Sequence, residues 1–227
     1  MRPEMARLPA DPQGFIRANT ALETPAMVPE FRLWLASEYV PIWQATEAWL
    51  EEQNVDPPYW AFCWPGGQAI ARYLLDNPEL VRGRRVVDFA AGSGVSSLAA
   101  ARAGAASVTA NDIDALSLVA AALNASENGL AIEVSGDDWL AGADGDPEAD
   151  VVIAGDVCYE QGMSARALGW LRGHARRGRL VLLGDPGRNY FSAQGLEERA
   201  RYTIPTSLQL ENRGMRETVV WRVLPHP

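Results

Sequence analysis

Val86-Val87-Asp88-Phe89-Ala90-Ala91-Gly92-Ser93-Gly94 decides the fold: an apolar strand runs into a turn of small residues and straight on into a helix. Gly92 and Gly94 let the backbone approach a ligand closely, and the first turn of the helix offers free N–H donors. Outward from this turn, beyond Gly83, short apolar segments alternate with helical ones. Strands are expected near 85–89, 107–111, 130–134, 150–155 and 179–184, with helices near 94–103, 114–128, 162–176 and 191–200. Apolar strands joined by crossover helices imply a parallel sheet covered on both faces. Tyr202 to Leu210, a turn at Asn212-Arg213-Gly214, and Thr218 to Leu224 then read as a closing antiparallel hairpin. The expected fold is α/β, a doubly wound seven-stranded sheet in which five parallel strands are followed by the hairpin.

Upstream of the turn the chain changes character. Residues 1–28 read as a tail, with Pro3, Pro9, Pro12, Pro25 and Gly14 and little periodicity. Pro29 to Gln53 has a helical pattern broken or kinked at Pro41, and Asp56-Pro57-Pro58 ends it. An aromatic stretch, Tyr59 to Gly67, leads into a helix from about Gly67 to Leu75. Five of the eight tryptophans lie between Trp34 and Trp64, so this N-terminal helical layer is expected to pack on the core. The domain then spans 29–227, with a cap at 29–83 and the core at 84–227.

Composition narrows the function. The net charge is −9 and the isoelectric point about 4.8, which disfavours binding through nucleic-acid phosphates. Two cysteines and two histidines leave little for a disulfide framework, a metal site or a Ser-His-Asp triad. With no signal-like or membrane-length apolar run, a cytoplasmic protein without membrane partners is expected. Asp56-Pro57-Pro58-Tyr59 looks like the motif with which DNA amino-methyltransferases hold a flipped base, but only 29 residues separate it from Asp88, and a separate fourth-strand motif lies downstream. The basic run Arg172, His174, Arg176, Arg177 and Arg179 complements a helix dipole.

The glycine turn alone suits nicotinamide, flavin and S-adenosylmethionine (SAM) sites alike. Asp112 ends the next strand, at the spacing from which a carboxylate accepts both hydroxyls of an adenosine ribose. Asp138 can meet the adenine amino group and Trp139 can cover its ring. A dinucleotide needs a second phosphate-binding turn or domain, and neither is visible. The terminal hairpin also favours a methyltransferase over a dehydrogenase.

At this point the sequence resembles the class I, seven-strand SAM-dependent methyltransferases, with their Rossmann-like sheet. More narrowly, it is similar to the lysine methyltransferases of the electron transfer flavoprotein β subunit. The matching stretches are Pro58 to Ala69, Arg72 to Pro78, Asn111 to Asp114, Gly155 to Glu160 and Gly184 to Arg188. The resemblance implies SAM as cofactor, with Trp64, Asp88, Ala90, Gly92, Asp112, Trp139 and Gly155 lining its pocket and Gly94 in the turn. It implies electron transfer flavoprotein β as protein substrate, with ribosomal protein L7/L12 as a second target. Trp64 would present its π-face to the sulfonium. Ala90 stands where the pattern has its first glycine, so the backbone there is expected at negative φ, with some loss of cofactor affinity.

On the substrate side, Asp156, Tyr159 and Glu160 follow the fourth strand, whose carboxyl end meets the ligand crevice of open parallel sheets. They are expected around the accepting nitrogen, with Asp156 orienting the amine and Glu160 or water taking its proton. The resemblance adds Asp185 and Arg188 as shapers of the substrate surface. Two rivals use the same fold: a small-molecule N-methyltransferase and a non-catalytic SAM-binding adaptor.

Overall fold

The structure, a computed structural model, describes residues 8–36, 58–141, 147–206, 211 and 214–225. Its main sheet has seven strands: β3 (Arg85–Phe89), β4 (Ser107–Asn111), β5 (Glu133–Ser135), β6 (Val151–Gly155), β7 (Leu180–Asp185), β8 (Leu196–Pro205) and β9 (Met215–Val223). Their order across the sheet is β5-β4-β3-β6-β7-β9-β8. The first five are parallel, and β9 inserts antiparallel between β7 and β8. The strand order reverses at β3 and β6, which opens a crevice at their carboxyl ends.

Alternation along each strand feeds two cores. Val86, Val151, Ile153 and Leu182 face one cluster, shared with α2 (Pro65–Asp76) and α3 (Val95–Arg102). Val87, Phe89, Val152, Val181 and Leu183 face the other, shared with α5 (Gln161–Arg176). Neither face meets water, which is why these strands read as nearly continuous apolar runs.

α2 comes exceptionally close to the sheet. A Cβ on Gly155 would lie 2.7 Å from the Gly67 nitrogen, and one on Gly66 or Gly184 would overlap the other's carbonyl oxygen. Three glycines therefore let the start of α2 rest backbone on backbone against the ends of β6 and β7. That contact carries Trp64, the N-cap of α2, to the crevice.

The N-terminal segment corrects the sequence reading. Within the expected tail, Asp11 accepts a hydrogen bond from the Gly14 amide at 2.9 Å and caps α1 (Pro12–Asn19). Ile16 of α1 is fully buried with Trp60, Leu116 and Leu123, the last two on α4 (Ala115–Glu127). β1 (Ala21–Glu23) pairs antiparallel with β2 (Leu33–Leu35), so the helical pattern from Pro29 contains a strand. Asn124 of α4 accepts from the Trp34 amide at 2.7 Å and donates to the Ser93 carbonyl at 2.9 Å, tying β2 to the glycine turn. The remainder of that helical pattern, with Pro41, Trp43, Trp49, Asp56 and Pro57, lies outside the described residues.

A second correction concerns 191–200, expected as a helix. Leu196–Pro205 is a strand that starts the hairpin earlier than expected, and its partner β9 starts at Met215. Pairing with β9 overrides the helix propensity of Leu196-Glu197-Glu198-Arg199-Ala200. A register shift between Glu198 and Ala200 marks the bulge, and Arg201 donates to Glu198 across it at 2.6 and 3.0 Å.

Candidate active site

The loops after β3, β4, β5 and β6 surround a cavity of about 560 Å³, the size of a small-molecule site. Ala90 and Gly92 form one wall. A Cβ on Gly92 (φ 52°) would meet nothing within 4 Å, so its bare backbone leaves room in the cavity for a ligand. Ala90 has φ 55°, in the left-handed region and contrary to the expected negative φ. The turn keeps its glycine-type geometry and carries the methyl group under strain, on the order of 1–2 kcal/mol.

Asp112 stands at the end of β4, on the cavity wall. One carboxylate oxygen accepts from the Gly92 amide and the other from the Asp114 amide, each at 3.0 Å. Ionised carboxylate oxygens accept more than one bond each, so the group can still take two hydroxyls. Burial pushes its pKa up, against the pull of those amides. Asp138 and Trp139 also line the cavity. Asp138 accepts from the Leu140 amide at 3.0 Å, and Trp139 stacks on Trp170 with centroids 5.8 Å apart. The Asn111 side-chain Nδ2 donates to the Ser135 and Asp137 carbonyls, clamping the loop that bears both.

Asp88, Gly94 and Asp185 sit behind the wall. The Ser97 hydroxyl donates to Asp88 at 2.7 Å, so Asp88 fastens the start of α3, and burial raises its pKa to about 7. Gly94 is a packing glycine, since a Cβ there would meet the Ala121 Cβ at 2.9 Å. Asp185 accepts from the Gly187 and Arg188 amides at 2.7 and 2.8 Å and so folds the loop after β7.

The opposite end of the cavity holds Trp64, Gly155, Asp156, Tyr159, Glu160 and Arg188. Asp156 bonds to two parts of its own chain. Its Oδ2 accepts from the Gly66 amide at 2.5 Å, and its Oδ1 from Arg188 Nε and Nη2 at 3.0 and 2.6 Å. It too has a left-handed backbone, φ 57°. The Arg188 guanidinium lies 5.4 Å from the Trp64 ring centroid, a cation on the aromatic ring expected to face a sulfonium. Tyr59 and Tyr159, both 44% exposed, pair at 5.5 Å and carry an aromatic wall out to solvent. Glu160 is exposed beside them.

Sequence reading passed over three kinds of participant. Tyr59, Ile113 and Met163 line the cavity without having been singled out, although Tyr59 and Ile113 belong to stretches quoted above. Glu211, the acidic partner of Arg188, is isolated in sequence. Gly66 and Gly184 were visible as glycines, but their mutual contact was not.

The chain is similar to known proteins along most of its length. It is 37% identical over 220 residues to the electron transfer flavoprotein beta subunit lysine methyltransferase of Xenopus laevis, covering 94% of this chain and 87% of that protein. It is 36% identical over 219 residues to the protein of the same name from Danio rerio, covering 93% and 83%. Residues 71–156 match the ribosomal protein L11 methyltransferase (PrmA) family. Among solved structures, magnesium protoporphyrin IX methyltransferase from Synechocystis PCC 6803 with bound SAM superposes with a TM-score of 0.51 at 18% identity, over 69% of this chain and 77% of that one. That likeness bears on the fold.

Proposed function

The chain belongs to the electron transfer flavoprotein beta subunit lysine methyltransferase family, and on that premise we propose that it methylates lysine side chains of electron transfer flavoprotein β, with SAM as donor. One observation carries the reading: a single cavity joins the Gly92–Asp112 end, suited to an adenosyl group, to an exposed end built from Tyr59, Tyr159 and Glu160. An aromatic wall that reaches solvent favours a side chain on a protein surface over an enclosed small molecule.

The residues present fit the cofactor. Asp112 would accept the ribose hydroxyls, Asp138 and Trp139 would meet the adenine, and Gly92 would leave room along the wall that Ala90 and Gly155 continue. When bound, SAM supplies an electrophilic methyl group that passes to the lysine nitrogen as the carbon–sulfur bond breaks. The protein has to deliver a neutral amine in line with that bond. Unassisted deprotonation of lysine at pH 7 costs about 4–5 kcal/mol. Glu160 attracts the ammonium and receives or relays its proton, and Tyr59 and Tyr159 strip water from the side chain. Asp156, buried between the Gly66 amide and the Arg188 guanidinium, acts as a positioning group that fixes both.

Ribosomal protein L7/L12 is the second candidate substrate, in a cytoplasmic setting. Among the described residues no helix is long and apolar enough to cross a membrane, and no His, Cys, Asp and Glu cluster is placed to hold a metal.

The test is incubation with methyl-labelled SAM and purified electron transfer flavoprotein, followed by mass spectrometry. Label on β-subunit lysines is the expected result. Label confined to small molecules, or none despite bound SAM, would overturn the assignment.

A further inference from the structure

Glu211 is a buried carboxylate beside the site, with its side chain 3% exposed, yet it belongs to the segment between β8 and β9. It grips the Arg188 guanidinium with both oxygens, at 2.7 and 3.1 Å, and accepts from Arg216 Nε at 2.8 Å. Arg188 in turn reaches Asp156, Asp156 reaches the Gly66 amide, and the guanidinium lies over Trp64. A chain of contacts thus runs from the hairpin to the start of α2. The charged groups around Arg188 are Asp156, Asp185, Glu211 and, one step out, Arg216. The further charged groups lining the cavity are Glu160, Arg166, Asp112, Asp114, Asp137 and Asp138.

We propose that Glu211 is a positioning residue for methyl transfer: it holds Arg188 against Trp64 and Asp156, and it cancels a cation on the wall of a cavity that has to admit a lysine ammonium. Both parts follow from the geometry. A guanidinium held on two sides by carboxylates loses its freedom to swing into the cavity, and a bidentate pair fixes its plane as well as its place. The neutralising part follows from Coulomb's law in a site of lowered dielectric, where one uncompensated charge near a second cation shifts binding several-fold. An unbalanced positive charge here would repel the incoming ammonium and lower the pKa of the lysine at the same time.

This role rests on the proposed lysine methyltransfer, and two variants separate it from a merely structural one. Glu211→Gln changes the charge of the cluster by one positive unit, and Arg216→Gln changes it by one negative unit. Steady-state methylation of electron transfer flavoprotein β at saturating SAM would be followed across pH for wild type and both variants. For Glu211→Gln, KM for the protein substrate is expected to rise about fivefold. The acid limb of its kcat profile should move down by roughly half a pH unit. Arg216→Gln, which removes only a half-buried outer partner, should shift both quantities the opposite way. Two variants that move together, or neither moving, would overturn the proposal, because lost packing has no sign. Should a thermal melt show Glu211→Gln unfolded, Arg216→Gln decides alone, and an unchanged or raised KM there would refute the role. An inactive wild type would contradict the proposed function itself, whereas an active wild type with unresponsive variants contradicts only this assignment.

Discussion

Ala90 and Asp156 both have backbones in the left-handed region, at φ 55° and 57°, and both lie on the cavity wall. A non-glycine residue there is held by its surroundings: Ala90 within the glycine turn, Asp156 by Gly66 and Arg188. Ala90→Gly removes the strain of the methyl group, about 1–2 kcal/mol, and adds back some chain entropy in the unfolded state, about 0.5–1 kcal/mol. The expected result is a Tm raised by roughly 1–4 °C in a thermal melt. A Tm lowered by that amount would mean that the methyl group packs more favourably than its backbone is strained. The placement of Asp112 and Trp139 at the cavity was legible in the sequence, because both follow the carboxyl ends of strands, where open parallel sheets form their crevice. The conformation of Ala90 was not, since residue identity says little about φ when tertiary contacts set it. Glu211 was also hidden, because its partner Arg188 is 23 positions away.

At the scale of elements, the close seating of α2 is what brings the aromatic run to the crevice. Gly66 and Gly184 are in mutual backbone contact, so a side chain on either has to push the helix off the sheet. Gly184→Ala is expected to cost about 3 kcal/mol or more, read as a lower denaturation midpoint. It should weaken SAM binding as well, by shifting Trp64 and the Asp156–Gly66 bond. A variant of unchanged stability would show that the contact is looser than described. The central strands and their crossover helices were readable within a residue or two, since both faces are buried and the pattern is strong. β8 was not. Glu197, Glu198, Arg199 and Arg201 alternate little in polarity and favour helix, and only pairing with β9 makes them a strand. The short β1–β2 pair and α1 escaped for a related reason: their stability comes from packing on α4 rather than from local pattern.

For the molecule as a whole, the order β5-β4-β3-β6-β7 of the parallel strands places the cavity, and Glu211, between β8 and β9, braces Arg188 on its wall. The acidic balance of the chain, net −9, suits a partner that presents lysines. Isothermal calorimetry of SAM into the purified, folded protein tests most directly whether the cavity binds SAM through Asp112. A single saturable site is predicted, weakened about tenfold or more in Asp112→Asn, as loss of a charged hydrogen-bond acceptor requires. Absence of any heat of binding, or an affinity untouched by that substitution, would contradict it.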